Sequence, residues 1–145
     1  EMATAYPRNR VFVLERGAAA IRAGHAELAE SILTSGLTAF ESDPRVKMPG
    51  ERALWFYKRG SARISLNHPA QARQDLDEAQ RSAPVEWVRG RLQLETGKAD
   101  DLQGRRNDAV ARYRMAREIA IRTNDAAAAA EAGRWLTRPF AMPGR

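Results

Sequence analysis

The sequence predicts an all-α chain built as a row of helical hairpins, and three observations carry that prediction. Ala, Leu, Arg and Glu dominate with helical spacing, while no stretch alternates apolar and polar residues with period two. Breakers divide the 145 residues into seven stretches, each long enough for three or more helical turns. Small and turn-permitting residues recur at matched intervals in three separate places.

The elements follow from the breakers in order. Between Pro7 and Gly24 the spacing predicts a helix over 9–23. A second helix over 26–41 stops before Asp43-Pro44, because Pro disfavours helical backbone in the residue ahead of it. The connection 42–50 holds two Pro and a Gly and is the longest in the chain. A third helix, 51–66, ends at Asn67-His68, and Pro69 opens a fourth over 69–82. Pro84 separates it from a fifth over 85–103, which Gly104 ends. The sixth, 106–123, runs to Asn124-Asp125, and the seventh, 126–137, stops ahead of Pro139. Short connections make sequential helices antiparallel neighbours.

The repeat is read by counting from three glycines. Gly17 is followed by Gly24, Ala29, Leu33 and Gly36 at steps of 7, 12, 16 and 19. The same steps from Gly60 reach Asn67, Ala72, Leu76 and Ala79, with Pro84 at step 24. From Gly97 they reach Gly104, Ala109, Tyr113 and Ala116. Gly24, Asn67 and Gly104 fall where a hairpin turn needs positive φ. Gly17, Gly60 and Gly97 mark a close crossing on each first helix, and Leu33, Leu76 and Tyr113 fill the space opposite.

This order of small, large, small and Pro positions resembles the tetratricopeptide repeat family, specifically a bacterial TPR-like helical domain. The resemblance implies a right-handed α-solenoid of three such hairpins, about 9–43, 51–84 and 87–123, with a capping helix over about 126–137. Ala128, Ala132, Trp135, Leu136 and Phe140 keep helical spacing there and would cover the last hairpin. The first helices depart from the family pattern. Where the family has a bulky apolar residue before the marker Gly, this chain has Arg16, Arg59 and Thr96. Tyr6-Pro7-Arg8-Asn9 is similar to the end of a preceding unit, so the expectation is a C-terminal piece of a longer array.

Tetratricopeptide arrays are protein-binding scaffolds whose first helices line a concave face, and the resemblance implies a binding set here. It comprises Arg22 from the first unit, Tyr57, Ser61 and Ile64 from the second, and Arg91, Leu94 and Lys98 from the third. Val11, Leu14, Ala18, Ile21, Leu54, Ser65, Asp101 and Leu102 share that face; Val11, Leu14 and Ile21 are expected to be covered by neighbouring helices. The implied ligand is an extended peptide or a partner helix with an acidic tip. Positions at which some members clamp a C-terminal carboxylate hold Leu14, Ala18, Lys58, Arg91 and Glu95, which argues against that mode.

Composition narrows the function classes. The chain has no Cys, which removes disulfides, thiolate nucleophiles and thiolate metal sites. His25 and His68 both follow a turn residue at the start of a second helix and read as helix-start polar groups. Asp75, Asp77 and Glu78 read as a solvated acidic face. Trp55 and Trp87 read as core. No Ser, Thr or Lys nucleophile is paired with a base, and no Gly-rich phosphate loop occurs, so the expectation is a non-enzyme without cofactor or metal. The net charge is +6, and 21 of the 24 cations are Arg. Residues 101–145 hold nine Arg without a clean stripe and with Tyr113 claimed by the core, which disfavours nucleic-acid binding without removing it as an alternative. Self-association through the solenoid ends, around Val11 and Val13, is the stronger alternative. No apolar run reaches the roughly 18 residues of a membrane span; cytoplasm and periplasm suit the composition equally.

Overall fold

The computed structural model describes residues 8–143, and within them the chain is all-helical. The elements are α1 Arg8–Arg22, α2 Ala26–Ser42, α3 Glu51–Ser65, α4 Pro69–Gln80, α5 Glu86–Leu102, α6 Arg106–Arg122 and α7 Ala126–Thr137. Among the described residues there is no strand. Tyr6-Pro7, expected to close a preceding unit, lies outside the described residues.

Four of the connections are built alike. Between α1 and α2, α3 and α4, α5 and α6, and α6 and α7, one residue takes positive φ: Gly24 (79°), Asn67 (59°), Gly104 (74°) and Asn124 (58°). The next residue, His25, His68, Arg105 or Asp125, donates its N–H to the carbonyl five positions back, at 2.8 Å in every case. That bond satisfies an orphan carbonyl at the helix end and turns the chain through a tight hairpin. The links α2–α3 and α4–α5 are longer and differ from these.

Each helix packs on its successor, and α1–α3, α3–α5 and α5–α7 also touch. The three marker glycines explain how closely the sequential pairs approach. A Cβ on Gly17 would stand 2.6 Å from Leu33 Cγ, one on Gly60 2.9 Å from Leu76 Cδ2, and one on Gly97 2.5 Å from Tyr113 Cε1. The large residue sixteen positions on therefore fills the volume that the glycine leaves empty. Leu33, Leu76 and Tyr113 are fully buried, and an aliphatic side chain so placed contributes about 1.5–3 kcal/mol.

The apolar core has no single centre. One cluster joins α1, α2 and α3 through Leu14, Leu33, Phe40 and Trp55; another joins α3, α4 and α5 through Tyr57, Leu76, Val88 and Leu92. A third joins α5, α6 and α7 through Leu94, Tyr113, Ala116 and Ala132. Helix α5 is covered on nearly all sides from Leu92 to Asp100, although Gln93, Glu95, Thr96, Lys98 and Asp100 are polar. Such burial is tolerated only with partners. Arg112 donates to Gln93, Ser61 to Glu95 and Arg73 to Asp100, and Lys98 is ion-paired.

Several expectations are corrected here. Asp75 is not solvated: it is 3 % exposed, and Arg59 donates to both its oxygens at 2.9 and 2.8 Å while Arg63 adds a third bond at 2.9 Å. The residue before Gly60 is thus an Arg because its partner across the hairpin is a buried carboxylate. Trp55 is core, but Trp87 is 42 % exposed at the first turn of α5, where no further helix covers it. Val11 is 56 % exposed rather than covered, because it lines the open cleft between α1, the 42–50 connection and α3, and no side chain fills that cleft. Phe140 does not continue α7: Arg138, ahead of Pro139, is extended, and the helix stops at Thr137.

Candidate functional site

A groove of about 630 Å³ opens along the face where α1, α3, α5 and α7 meet. Arg22, Tyr57, Ser61, Ile64, Arg91 and Lys98 all line it, joined by Ala18, Ile21, Lys58, Ser65, Glu95 and Glu131. Helical spacing brings them together. Ser61 lies three or four residues from each of Tyr57, Lys58, Ile64 and Ser65 along α3, and Arg91, Glu95 and Lys98 are spaced four and three apart along α5. Leu94 does not join them. It is 2 % exposed and packs with Ala109 and Tyr113, because α6 and α7 cover that side of α5. Asp101 does not line the groove itself; behind it, Asp101 accepts from the Tyr113 hydroxyl of α6 and from the Phe140 N–H after α7.

Charge in the groove is unevenly compensated. Arg91 makes a forked pair with Asp125, 2.7 Å on each arm, and the resulting hydrogen bonds raise the Arg91 pKa and lower that of Asp125. Lys98 lies 3.0 Å from Glu95 and 2.5 Å from Glu131. Burial alone would lower its pKa, but the two carboxylates reverse the effect and hold it at about 12. Ser61 Oγ donates to Glu95 Oε1 at 2.7 Å. The Tyr57 hydroxyl sits beside Glu95 and Arg91, and burial pushes its pKa up to about 12, so it stays protonated at neutral pH.

Lys58 and Arg22 differ from these. Neither has a carboxylate within ion-pair distance among the described residues, and both face the groove. Burial lowers the Lys58 pKa; the negative charges of Glu15 and Glu95 oppose that, and the positive charges of Arg91 and Arg22 add to it. On the α1–α3 side of the groove Lys58 and Arg22 are thus without an ion pair among the described residues, while the α5–α7 side is internally paired.

The far wall is made by the chain after α7. Phe140, Met142 and Pro143 line the groove. Sequence reasoning missed this, and also missed Glu131 and Asp125 as partners of groove cations, because each lies more than thirty residues from the cation it meets. Pro139 was the available signal that Phe140 leaves the helix.

A second cleft, about 610 Å³, lies at the N-terminal end between α1, the 42–50 connection and α3. Arg10 pins the connection by donating to Glu51, Asp43 and the Val46 carbonyl. Val11, Val46 and Met48 line it and stay exposed, with Val46 90 % accessible.

Other candidates do not converge. His25 and His68 are exposed at the starts of α2 and α4, and neither caps its helix with its side chain. Among the described residues no group of three or more His, Asp or Glu could hold a metal ion, and no helix is long and apolar enough to cross a membrane. Within the Arg-rich C-terminal third, Arg106 binds Asp101 and the carbonyls of Trp135 and Leu136, Arg112 binds Gln93 and Arg122 binds Glu86. Arg105, Arg114 and Arg117 are exposed. In comparisons with protein-family models, curated proteins and solved structures, nothing matches the chain.

Proposed function

We propose that this chain is a non-catalytic interaction module that binds an extended peptide, or one face of a partner helix, in the groove between α1, α3, α5 and α7. The observation that carries the reading is convergence: Arg22 of α1, Tyr57, Ser61 and Ile64 of α3, and Arg91 and Lys98 of α5 share one concave surface. The architecture proposed with it is a right-handed α-solenoid of tetratricopeptide type, with α7 as its cap. The alike turns and the three glycine crossings support that reading. Arg22 and Lys58 select an acidic segment, and the preorganised helices mean that binding orders the ligand more than the scaffold. The test is fluorescence anisotropy with a library of labelled peptides of varied charge. Acidic members should bind, and Tyr57→Ala and Arg91→Glu should each weaken binding; a library that shows no charge preference and no response to either substitution would refute the proposal.

A second reading, self-association through the N-terminal end, is favoured by the exposed Val11, Val46 and Met48 that line the cleft there, whereas Val13 is half-buried against the first core cluster. Sedimentation over a wide concentration range tests it, and a species that stays monomeric throughout would reject it.

A further inference from the structure

The residues after α7 enter the groove in the manner of a bound peptide. From Pro139 to Pro143 burial alternates: Pro139, Ala141 and Pro143 are exposed, while Phe140 and Met142 turn inward. A period of two is the mark of an extended segment lying on a surface. Phe140, like Leu102, packs against the cluster of Ile64 of α3, Ala72 of α4 and Ala99 of α5, and with Ile64 it lines the groove assigned to the partner. Its ring meets Trp135 edge-on at 5.2 Å, and Lys98 Nζ stands 5.3 Å from its centroid.

Its backbone is held as well. Phe140 N–H donates to Asp101 Oδ2 at 2.9 Å, and the same oxygen accepts from the Tyr113 hydroxyl at 2.7 Å. Arg106 bridges Asp101 to the carbonyls of Trp135 and Leu136 at the end of α7. A buried acceptor, an aromatic seat and a cation over the ring form a receptor for an aromatic residue in extended backbone.

We infer that the groove accepts an extended segment with an aromatic residue and an apolar residue two positions later, and that Phe140 and Met142 of the chain's own tail occupy it as a built-in competitor. This rests on the groove being a peptide site. A longer ligand must displace the tail to fill the groove from α1 to α7, while a short acidic one fits beside Arg22 and Lys58 without doing so. Because the tail is tethered, it competes at a local concentration in the millimolar range, so a free segment binds the intact chain at least about tenfold more weakly than a chain whose tail is undocked.

The experiment uses the full chain, its Phe140→Ala variant and a synthetic peptide of residues 138–143, followed by amide chemical shifts. Binding to the variant at the Ile64, Lys98 and Leu102 amides, and at least about tenfold weaker to the parent, is the expected result. Equal affinity, shifts elsewhere, or no shift in either protein overturns the inference. Should Phe140→Ala not fold, the intact chain still decides. Because it has no native Cys, Met142→Cys takes a single environment-sensitive fluorophore. A buried label released by excess peptide supports the docked tail, and a label that reports bulk water overturns it. Acidic peptides that bind parent and variant alike, with the tail peptide binding neither, would remove the competitor and leave the groove's function standing. A docked tail with no external ligand would remove both the peptide-site reading and the competitor, leaving Phe140 as part of the packing.

Discussion

Two glycine-to-alanine substitutions, Gly97 in α5 and Gly133 in α7, share a chemistry and should have opposite effects. In a helix interior the replacement is worth about 1 kcal/mol in favour of Ala through backbone entropy alone. At Gly133 nothing lies within 4 Å of the added Cβ, so that gain is realised, and stability rises by roughly 0.5–1 kcal/mol. At Gly97 the added Cβ would meet three atoms of one ring: Tyr113 Cε1 at 2.5 Å, Cδ1 at 2.8 Å and Cζ at 3.0 Å. That ring cannot retreat, being fully buried with its hydroxyl tied to Asp101 at 2.7 Å. Overpacking a filled site costs about 1–3 kcal/mol, and a planar ring fixed at both ends draws on the upper part of that range. The net expectation for Gly97→Ala is a loss of about 1–2 kcal/mol, or a few degrees in Tm for a chain of this size. Urea unfolding followed by far-UV circular dichroism measures both variants against the parent. If Gly97→Ala equals or exceeds the parent, the crossing at that glycine is looser than described and the close-packed reading of all three crossings fails.

Arg59→Leu should lower stability by about 2–3 kcal/mol, because it leaves the buried Asp75 with Arg63 alone; an unmoved urea midpoint would refute this. Stability should also fall in acid. The folded-state pKa of Asp125 lies below its ordinary value, so the unfolded chain takes up the proton more readily, and the stabilisation is present above about pH 4 and lost as pH drops below it. Glu86, lowered to about 2 by Arg89 and Arg122, acts with the same sign. Asp125→Asn should therefore flatten the acid limb of the stability profile, and an unchanged slope would show that Arg91 does not depend on this carboxylate. Lys58→Glu should weaken an acidic peptide by about tenfold or more at low salt and by less at high salt, read by anisotropy titration. An effect independent of salt would mean that Lys58 acts through packing.

Much of the helical layout was legible because its causes are local. Gly24, Asn67 and Gly104 take the positive φ that their side chains tolerate, and Pro44, Pro69 and Pro139 bound helices by removing donors or crowding the residue before them. The groove was partly legible for a related reason. A residue's face on a helix follows from its spacing, so Tyr57, Ser61 and Ile64, or Arg91 and Lys98, fall together once the repeat is counted. Leu94 failed that test because spacing fixes a direction and not what is packed there; α6 and α7 cover the side of α5 on which it lies. Glu131 and Asp125 were invisible as groove partners, since nothing local ties Lys98 to Glu131 or Arg91 to Asp125 thirty-three or thirty-four residues away, whereas Glu95 stands three residues before Lys98 and was within local reach.

What the sequence determined by itself is therefore the set of helices, their turns and the positions where two of them can approach. Backbone preference and side-chain size act within a few residues and survive in any context. What only the tertiary structure decided is environment: the polar run Gln93–Asp100 is buried, Val11 and Trp87 are bare, Asp75 is inside, and Phe140 lies in the groove. Burial depends on which distant surfaces arrive to exclude water, and a buried charge is tolerable only when a partner from another helix arrives with them.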